Sequence, residues 1–178
     1  MTSMVQQLLT FSRIDSNSEY LTKEMTVLGR EIVQSVAELE PEAHKKRIRM
    51  EFEEENAVPI IGNTQLINIL IRNLIDNAIK YTPINGVIRI GLSGQDKYLE
   101  LAVEDSGPGI APEHYEASLK RFHRCLETAN VAQGSGLGFS MVQRIAVIHN
   151  AELTLAESQF GGLKVSVLFP LPKKPAEK

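Results

Sequence analysis

Apolar residues recur every three to four positions along three stretches of the chain, which is the spacing typical of amphipathic helices. The longest stretch covers residues 64–82, just before a proline. Two shorter stretches, at residues 29–44 and 138–149, predict further helices. Thr64 is the expected cap of the longest helix, because a hydroxyl at that position accepts a hydrogen bond from the first helical turn.

Other stretches alternate apolar and polar residues or form short apolar runs, as strands do. They lie at residues 25–28, 48–53, 58–61, 87–92, 98–104, 153–156 and 163–169. The turn residues 94–96 predict that the strands on either side of them pair antiparallel. Pro112 predicts another helix, reaching about Phe122. Because helices and strands alternate irregularly, we expect an α/β fold with a mixed sheet covered by helices on one face.

The two ends of the chain lack the pattern of a packed domain. Residues 4–14 have helical spacing but no core of their own, and a free helix of about a dozen residues is only marginally stable in water. We therefore expect residues 1–18 to be the end of a longer helix and a linker. Residues 19–171 should form one compact domain, and residues 172–178 a disordered tail.

Composition narrows the class of protein. A chain of 178 residues that is 43% hydrophobic can bury the core of one globular domain. The net charge of −3 provides no basic surface, which argues against a nucleic-acid partner. The single cysteine, Cys125, excludes an internal disulfide and fits a reducing compartment. No apolar run approaches the roughly 20 residues that cross a bilayer, so we expect a soluble, cytoplasmic polypeptide.

The longest predicted helix carries an unusual polar stripe. Asn73, Asn77 and Lys80 are spaced i, i+4 and i+7, which places two carboxamides and an ammonium on one side of the helix. This set suits a phosphate and its metal ion. A plain solvated helix face would have the same appearance, and the stripe alone does not decide between the two.

Two glycine clusters follow the polar stripe. Asp105 ends a predicted strand and precedes Gly107 and Gly109, so its carboxylate could accept a hydrogen bond from an exocyclic amine while the glycines admit a flat ring. A strand-to-helix turn would use the same residues. The second cluster, Gly134 to Gly138, precedes a predicted helix whose first amides can hold a phosphate, although a flexible loop is the alternative. The order of all three motifs within about 70 residues favours a nucleotide site.

These segments resemble the N box and the glycine boxes of the catalytic ATP-binding domain of two-component sensor histidine kinases. Residues 121–124, Arg-Phe-His-Arg, resemble the phenylalanine box of that family, and Gly161-Gly162 its terminal double glycine. The resemblance covers residues 66–170. It implies the Bergerat ATP-binding fold, a two-layer α/β sandwich with a mixed, mostly antiparallel sheet, shared with gyrase-type ATPases and the heat-shock chaperone ATPase. The motif details are similar to those of proteobacterial sensors for polymyxin resistance or quorum signals.

By this resemblance the cofactors are ATP and Mg²⁺. Asn77 would hold the metal ion with help from Asn73, while Lys80 and Tyr81 would face the phosphates or the ribose. Asp105 would bind the adenine amine. The other nucleotide-contacting residues implied are Gly107, Gly109, Ile110, Phe122, Arg124, Gly134, Ser135, Gly136, Leu137 and Gly138.

Residues 123–137 would form the lid over ATP. The residues implied in catalysis are Asn73 and Arg124, the latter by stabilising charge on the transferred phosphoryl group. Leu119 and His123 depart from the family, which often has Phe and Tyr there, and this affects how the lid packs.

The function implied is transfer of the γ-phosphate of ATP to a histidine on a separate dimerisation domain. None of the four histidines, His44, His114, His123 and His149, has the sequence context of the acceptor. We interpret His44, His114 and His149 as ordinary surface residues, so the chain should not phosphorylate itself.

Its partners would be its own dimerisation domain and a cytoplasmic response regulator. The parent protein would be a homodimer in the bacterial inner membrane, and this fragment a monomer. Two alternatives remain. One is an ATP-hydrolysing protein of the same fold, which would need a glutamate where Asn73 lies. The other is a nucleotide-binding module that regulates without catalysis.

Overall fold

The computed structural model describes residues 22–119 and 137–173, together with residues 9, 12, 13 and 16. In chain order the elements are β1 (Glu24–Thr26), α1 (Leu28–Lys45), β2 (Arg49–Glu55), β3 (Ile60–Gly62), α2 (Thr64–Tyr81), β4 (Val87–Gly94), β5 (Tyr98–Asp105), a 3₁₀ turn (Pro112–His114), α3 (Tyr115–Ser118), α4 (Leu137–Ile148), β6 (Glu152–Glu157) and β7 (Leu163–Pro170). Within these ranges no helix combines the length and the apolar character that a membrane crossing requires.

Five strands form the main sheet, in the order β2-β4-β5-β7-β6. The pair β2–β4 is parallel and every other pair in this sheet is antiparallel. This confirms the mixed, mostly antiparallel sheet, including the predicted antiparallel pair on either side of residues 94–96. The strands β1 and β3 make a separate antiparallel pair beside it.

The strands alternate between a buried face and a polar face. On β4, Ile88 and Ile90 are fully buried in the same apolar cluster as the inner residues of α2 and α4. Between them Arg89 points to the other face, where it lies opposite Glu51 and Glu104 of the neighbouring strands and is half-buried. One face of the sheet therefore carries the helices, as the predicted two-layer sandwich requires.

Helix α2 is the central helix of the apolar layer. Its buried residues are Leu66, Ile67, Leu70, Ile71, Leu74, Ile75, Ala78 and Ile79. They follow the helical period and pack the helix against the sheet, against α1 and against α4. Burying each large aliphatic side chain contributes about 1.5–3 kcal/mol relative to exposing it, so this face fixes the position of the polar stripe on α2.

The prediction that Thr64 caps α2 was wrong by one residue. The cap is Asn63, whose backbone is extended and whose side-chain oxygen accepts a hydrogen bond from the Leu66 N–H at 3.0 Å. Thr64 is already helical, and its hydroxyl instead hydrogen-bonds the Glu24 carboxylate at 2.9 Å. Asn and Thr are both good caps, and the extended backbone of Asn63 makes it the residue that caps α2.

The interpretation of His149 as a surface residue was wrong. His149 is 4% exposed and directly follows α4. Its Nε2 accepts a hydrogen bond from the Asn63 N–H at 3.0 Å, its Nδ1 lies 2.7 Å from the Ile145 carbonyl oxygen, and its ring meets Phe169 edge-on. Burial lowers the pKa of His149, and the nearby charge of Lys23 lowers it further. A signal was present in the sequence, because residue 149 continues the apolar stripe four positions after Ile145.

His44 is exposed beside Glu40, as predicted. His114 is half-buried in the 3₁₀ turn. That turn and the four-residue helix α3 take the place of the first part of the single helix predicted after Pro112. Residues 120–136, which include His123 and the rest of that helix prediction, lie outside the described residues. So do most of residues 4–14 and the end of the predicted tail.

Candidate functional site

Asp105 is the last residue of β5 and the centre of the first cluster of candidate residues. Its side chain is 6% exposed, and Oδ1 accepts hydrogen bonds from the Gly107 N–H at 2.9 Å and from the Leu163 N–H at 3.2 Å. Among residues 22–119 and 137–173 no group hydrogen-bonds Oδ2. Burial raises the pKa of Asp105, and the two backbone N–H groups counteract part of that rise. One carboxylate oxygen is thus held in place and the other is available to a ligand.

Glycines allow the backbone to close around Asp105. A Cβ added to Gly162 would lie 2.2 Å from Asp105 Oδ1, and one added to Gly107 would lie 2.7 Å from the Tyr81 carbonyl oxygen. Gly109 has φ of +70°, a left-handed conformation that glycine adopts without strain, and it packs beside Gly162. Only glycine fits these positions, so the surroundings of Asp105 consist largely of backbone. The predicted residue Ile110 packs at the margin of the apolar core.

Asn73 and Asn77 form the second cluster, one turn apart on α2 and facing the beginning of α4. A Cβ added to Gly138 would lie 2.8 Å from Asn77 Nδ2, so this glycine makes room for the Asn77 carboxamide. Asn73 Nδ2 donates to the Ile69 carbonyl at 2.8 Å and lies 3.7 Å from the sulfur of Met141. Asn77 makes no hydrogen bond to any residue of the described ranges, which leaves its carbonyl oxygen available as a ligand.

Lys80, the third member of the polar stripe, forms an ion pair with Asp76 at 2.9 Å. Sequence reasoning missed Asp76, although its i, i+4 spacing to Lys80 is the signal for such a pair. Both side chains are more than one-third exposed, and exposed pairs of this kind contribute only about 0.3–0.5 kcal/mol. A phosphate can therefore attract the Lys80 ammonium away from Asp76 with little loss.

Helix α2 links the two clusters. Asn77 meets Gly138, and one turn later, about 6 Å along the helix axis, the Tyr81 carbonyl meets Gly107. The predicted residues thus lie on α2, at the end of β5 and in the loop after it, and at the beginning of α4; they are Asn73, Asn77, Tyr81, Asp105, Gly107, Gly109 and Gly138. Tyr81 contributes to this contact through its backbone. Leu137 begins α4, one residue before the predicted start of that helix. Phe122, Arg124, Gly134, Ser135 and Gly136 lie outside the described residues.

The donor set fits Mg²⁺ bound together with a phosphate. In the described part of the chain no group of three His, Cys, Asp or Glu side chains is close enough to form a metal cage. Mg²⁺ is usually held by one or two protein oxygens, by substrate phosphates and by water, so it needs no such cage. The free carbonyl oxygen of Asn77 is a ligand of the required kind.

Sequence reasoning also missed Lys46, Ser106 and the backbone N–H of Leu163. Lys46 Nζ donates to the Ile79 carbonyl at 2.7 Å, at the end of α2. Ser106 Oγ accepts from the Val87 N–H at 2.9 Å, which fixes the loop after Asp105 to the neighbouring strand. No local sequence pattern predicts these contacts, because they join segments far apart in the chain.

The fold and these clusters define an ATP-binding domain of the kind that the sequence motifs indicated. Residues 62–173 match the family described as histidine kinase-, DNA gyrase B- and HSP90-like ATPase, and the chain belongs to this family. It is homologous to sensor histidine kinases and contains their catalytic ATPase domain.

Among curated relatives, the chain is 33% identical to the sensor protein QseC of Escherichia coli K12, over 93% of this chain and 36% of that protein. It is 30% identical to the sensor protein kinase PmrB of Pseudomonas aeruginosa PAO1, over 94% of this chain and 35% of that protein. The chain therefore spans about a third of the length of these relatives. Among solved structures, the mycobacterial sensor histidine kinase MprB is similar, with a TM-score of 0.73 and 25% identity, covering 85% of this chain and all of that one.

Proposed function

We propose that this chain binds Mg-ATP and donates the γ-phosphate to a histidine on a separate dimerisation domain of a two-component sensor kinase. The observation that carries the proposal is the state of the Asp105 carboxylate. Two backbone N–H groups hold its Oδ1, no described residue occupies its Oδ2, and glycine backbone surrounds it.

The Asp105 cluster suits adenine in particular. A carboxylate only accepts hydrogen bonds, and adenine presents an exocyclic amine that donates. The glycines at positions 107 and 109 lie close against the backbone of Tyr81 and Gly162, which holds the loop after Asp105 in place, and Ile110 would supply an apolar contact to the adenine ring. Because Asp105 is buried, its hydrogen bond to the amine is shielded from competing water and therefore selective.

The Asn cluster would hold the metal ion and the phosphates. The Asn77 carbonyl oxygen would bind Mg²⁺, which when present neutralises phosphate charge. Asn73 would assist it, and Lys80 would leave Asp76 for a phosphate oxygen. By resemblance to the family, Arg124 would belong to the lid of residues 123–137, and Phe122 would contact the nucleotide. Gly134, Gly136 and Gly138 would be the phosphate hinge of the lid, and Ser135 would contact the nucleotide.

Asn73 favours a kinase over a hydrolase. Hydrolysing relatives of this fold carry a glutamate there to activate water, whereas a carboxamide cannot take up a proton. Its nitrogen is moreover engaged with the Ile69 carbonyl, so the side chain is bound to its own helix. ATP should therefore remain intact until an acceptor histidine arrives.

His149 and His44 are unsuited to the role of that acceptor. Both ring nitrogens of His149 are engaged inside the fold, and His44 lies exposed on α1 with no sequence context of an acceptor. We propose that the acceptor belongs to the dimerisation domain of a larger, membrane-bound homodimer. Residues 1–18 would be the end of that domain, residues 19–171 the catalytic domain, and a cytoplasmic response regulator the next recipient of the phosphoryl group.

The test is transfer of label from ATP carrying a radioactive γ-phosphate. The chain alone, with Mg²⁺, should bind this ATP without becoming labelled. A dimerisation domain supplied as a separate polypeptide should become labelled at its histidine when the chain, ATP and Mg²⁺ are all present. Stable label on a histidine of this chain, or rapid release of free phosphate without label transfer, would contradict the proposal.

A further inference from the structure

Lys46 lies directly after α1 and hydrogen-bonds the end of α2, which is distant from it in the sequence. Its ammonium donates hydrogen bonds to the Ile79 carbonyl at 2.7 Å and to the Lys80 carbonyl at 3.2 Å. Its own carbonyl accepts from the Asn85 N–H at 2.9 Å. One residue thus holds both the last turn of α2 and the loop that follows it.

The charge of Lys46 lies where a helix is electrostatically negative. The last carbonyls of a helix have no partner within the helix, and a cation near them is stabilising. Burial lowers the pKa of Lys46, so its ammonium is partly withdrawn from water into this contact. The adjacent residue, Lys45, provides a contrast. It is exposed and forms an ion pair with Glu42 on the surface of α1.

The turn held by Lys46 is the part of α2 that borders both candidate clusters. Lys80, whose carbonyl it binds, presents its own ammonium on the polar stripe next to Asp76. Tyr81, the next residue, places its carbonyl against Gly107, and Gly107 donates to Asp105. A short chain of contacts therefore leads from Lys46 to the carboxylate assigned to adenine.

We propose that Lys46 is a positioning residue of the nucleotide site. Its ammonium fixes the last turn of α2 so that Lys80 and Tyr81 face the nucleotide, and it offsets the negative potential of the helix end beside an anionic ligand. This inference rests on the proposed function, since it concerns the same ATP site. Lys46 acts through the carbonyls of Ile79 and Lys80.

The experiment compares Mg-ATP affinity by calorimetry for the wild-type chain, Lys46→Met, Lys46→Arg and the control Lys45→Met. Methionine keeps most of the apolar stem and removes the charge. Lys46→Met should weaken Mg-ATP binding by more than about threefold and at most about thirtyfold, the upper limit being the full contribution of a partly buried cation at a helix C-terminus. Lys46→Arg restores donors for the two carbonyls and should stay within about threefold of wild type. Lys45→Met removes the same charge one residue away and should bind as wild type does.

A purely structural role of Lys46 predicts a different result. In that case Lys46→Met would lower the melting temperature and leave the affinity of the folded protein unchanged, which would overturn the proposal. An equal loss in Lys45→Met, or no recovery in Lys46→Arg, would also overturn it. If Lys46→Met does not fold, Lys46→Gln takes its place, since glutamine can donate to one of the two carbonyls. Lys46→Gln should bind Mg-ATP more weakly than the wild-type chain and Lys46→Arg do, and wild-type affinity would refute the proposal. A wild-type chain that fails to bind Mg-ATP would refute the proposed function, and this inference with it.

Discussion

Replacing Asp105 with asparagine separates the role of this side chain in binding from its role in folding. The carboxamide has the same shape as the carboxylate. Its oxygen can take the place of Oδ1 and continue to accept hydrogen bonds from the N–H groups of Gly107 and Leu163. The second position becomes an NH₂ donor, which would face the donor amine of adenine in the proposed complex. The substitution therefore preserves the contacts within the protein and removes the proposed acceptor for the ligand.

The magnitude follows from these contacts. A hydrogen bond to a charged group contributes about 1.5–3 kcal/mol, so Asp105→Asn should weaken ATP binding roughly 10- to 150-fold. Folding should respond differently. Burial raises the pKa of Asp105 above its ordinary value of 3.8. As pH rises above 3.8, the Asp105 carboxyl therefore stays protonated to a higher pH in the folded chain than in the unfolded chain. Its ionisation therefore lowers stability as pH rises through that window. At neutral pH the variant should be at least as stable as wild type.

Two assays and one control complete this test. ATP affinity is measured by calorimetry, and the free energy of unfolding by denaturant titration. The control is Asp96→Asn, which removes the same charge from an exposed position between β4 and β5 and should change neither quantity. ATP affinity within about twofold of wild type would refute the adenine role, since a lost charged hydrogen bond exceeds that difference. A large loss of stability would show that Asp105 is needed for folding instead.

Three further predictions concern the remaining parts of the site and fold. Asn77→Ala should remove the dependence of ATP binding on Mg²⁺, which titrations with and without the metal check; a surviving dependence would contradict its role as ligand. The folded pKa of His149 lies below its ordinary value of 6.5, so the unfolded chain binds this proton more readily, and unfolding free energy should fall as pH drops below that value. His149→Gln should flatten that part of the pH profile, and an unchanged profile would show that other groups cause it. Gly162→Ala places a Cβ 2.2 Å from Asp105 Oδ1 and 2.4 Å from its carbonyl oxygen, and denaturant titration should show a loss of about 1–3 kcal/mol, the usual range for overpacking. The matched change Gly91→Ala meets no atom within 4 Å and should have little effect; equal losses in the two variants would contradict this explanation.

Much of the fold could be predicted because its signals are local. The helical period of α2 and the alternation along β4 and β5 are both visible in a few consecutive residues. The burial of His149 was missed although it continues the apolar stripe of α4 four positions after Ile145, whereas its hydrogen bond with the distant Asn63 is visible only in the folded chain. The cap of α2 was misplaced because Asn63 and Thr64 are both good caps by residue type, and the backbone angles that make Asn63 the cap appear only in the structure.

Part of the candidate site could also be predicted from local sequence, and part could not. Asp105 and Asn77 stand in recognisable motifs, and the structure places each next to a glycine from a different motif, Gly162 for Asp105 and Gly138 for Asn77. The contact of Lys46 with the end of α2 joins residues 33 positions apart, so only the folded chain reveals it. Motifs thus indicate the residues that we propose bind the ligand, and tertiary contacts show which residues hold them in place.

The central claim is that Asp105 selects adenine, and the most direct measurement is the affinity of the wild-type chain for Mg-ATP compared with Mg-GTP. Guanine carries a carbonyl oxygen where adenine carries its amine, so it would present an acceptor to the Asp105 carboxylate and leave a buried charge without a partner. Such a loss is about 1–3 kcal/mol or more, so GTP should bind at least about tenfold more weakly than ATP. Equal affinities for the two nucleotides would contradict the account, because they would show that Asp105 does not bind the adenine amine.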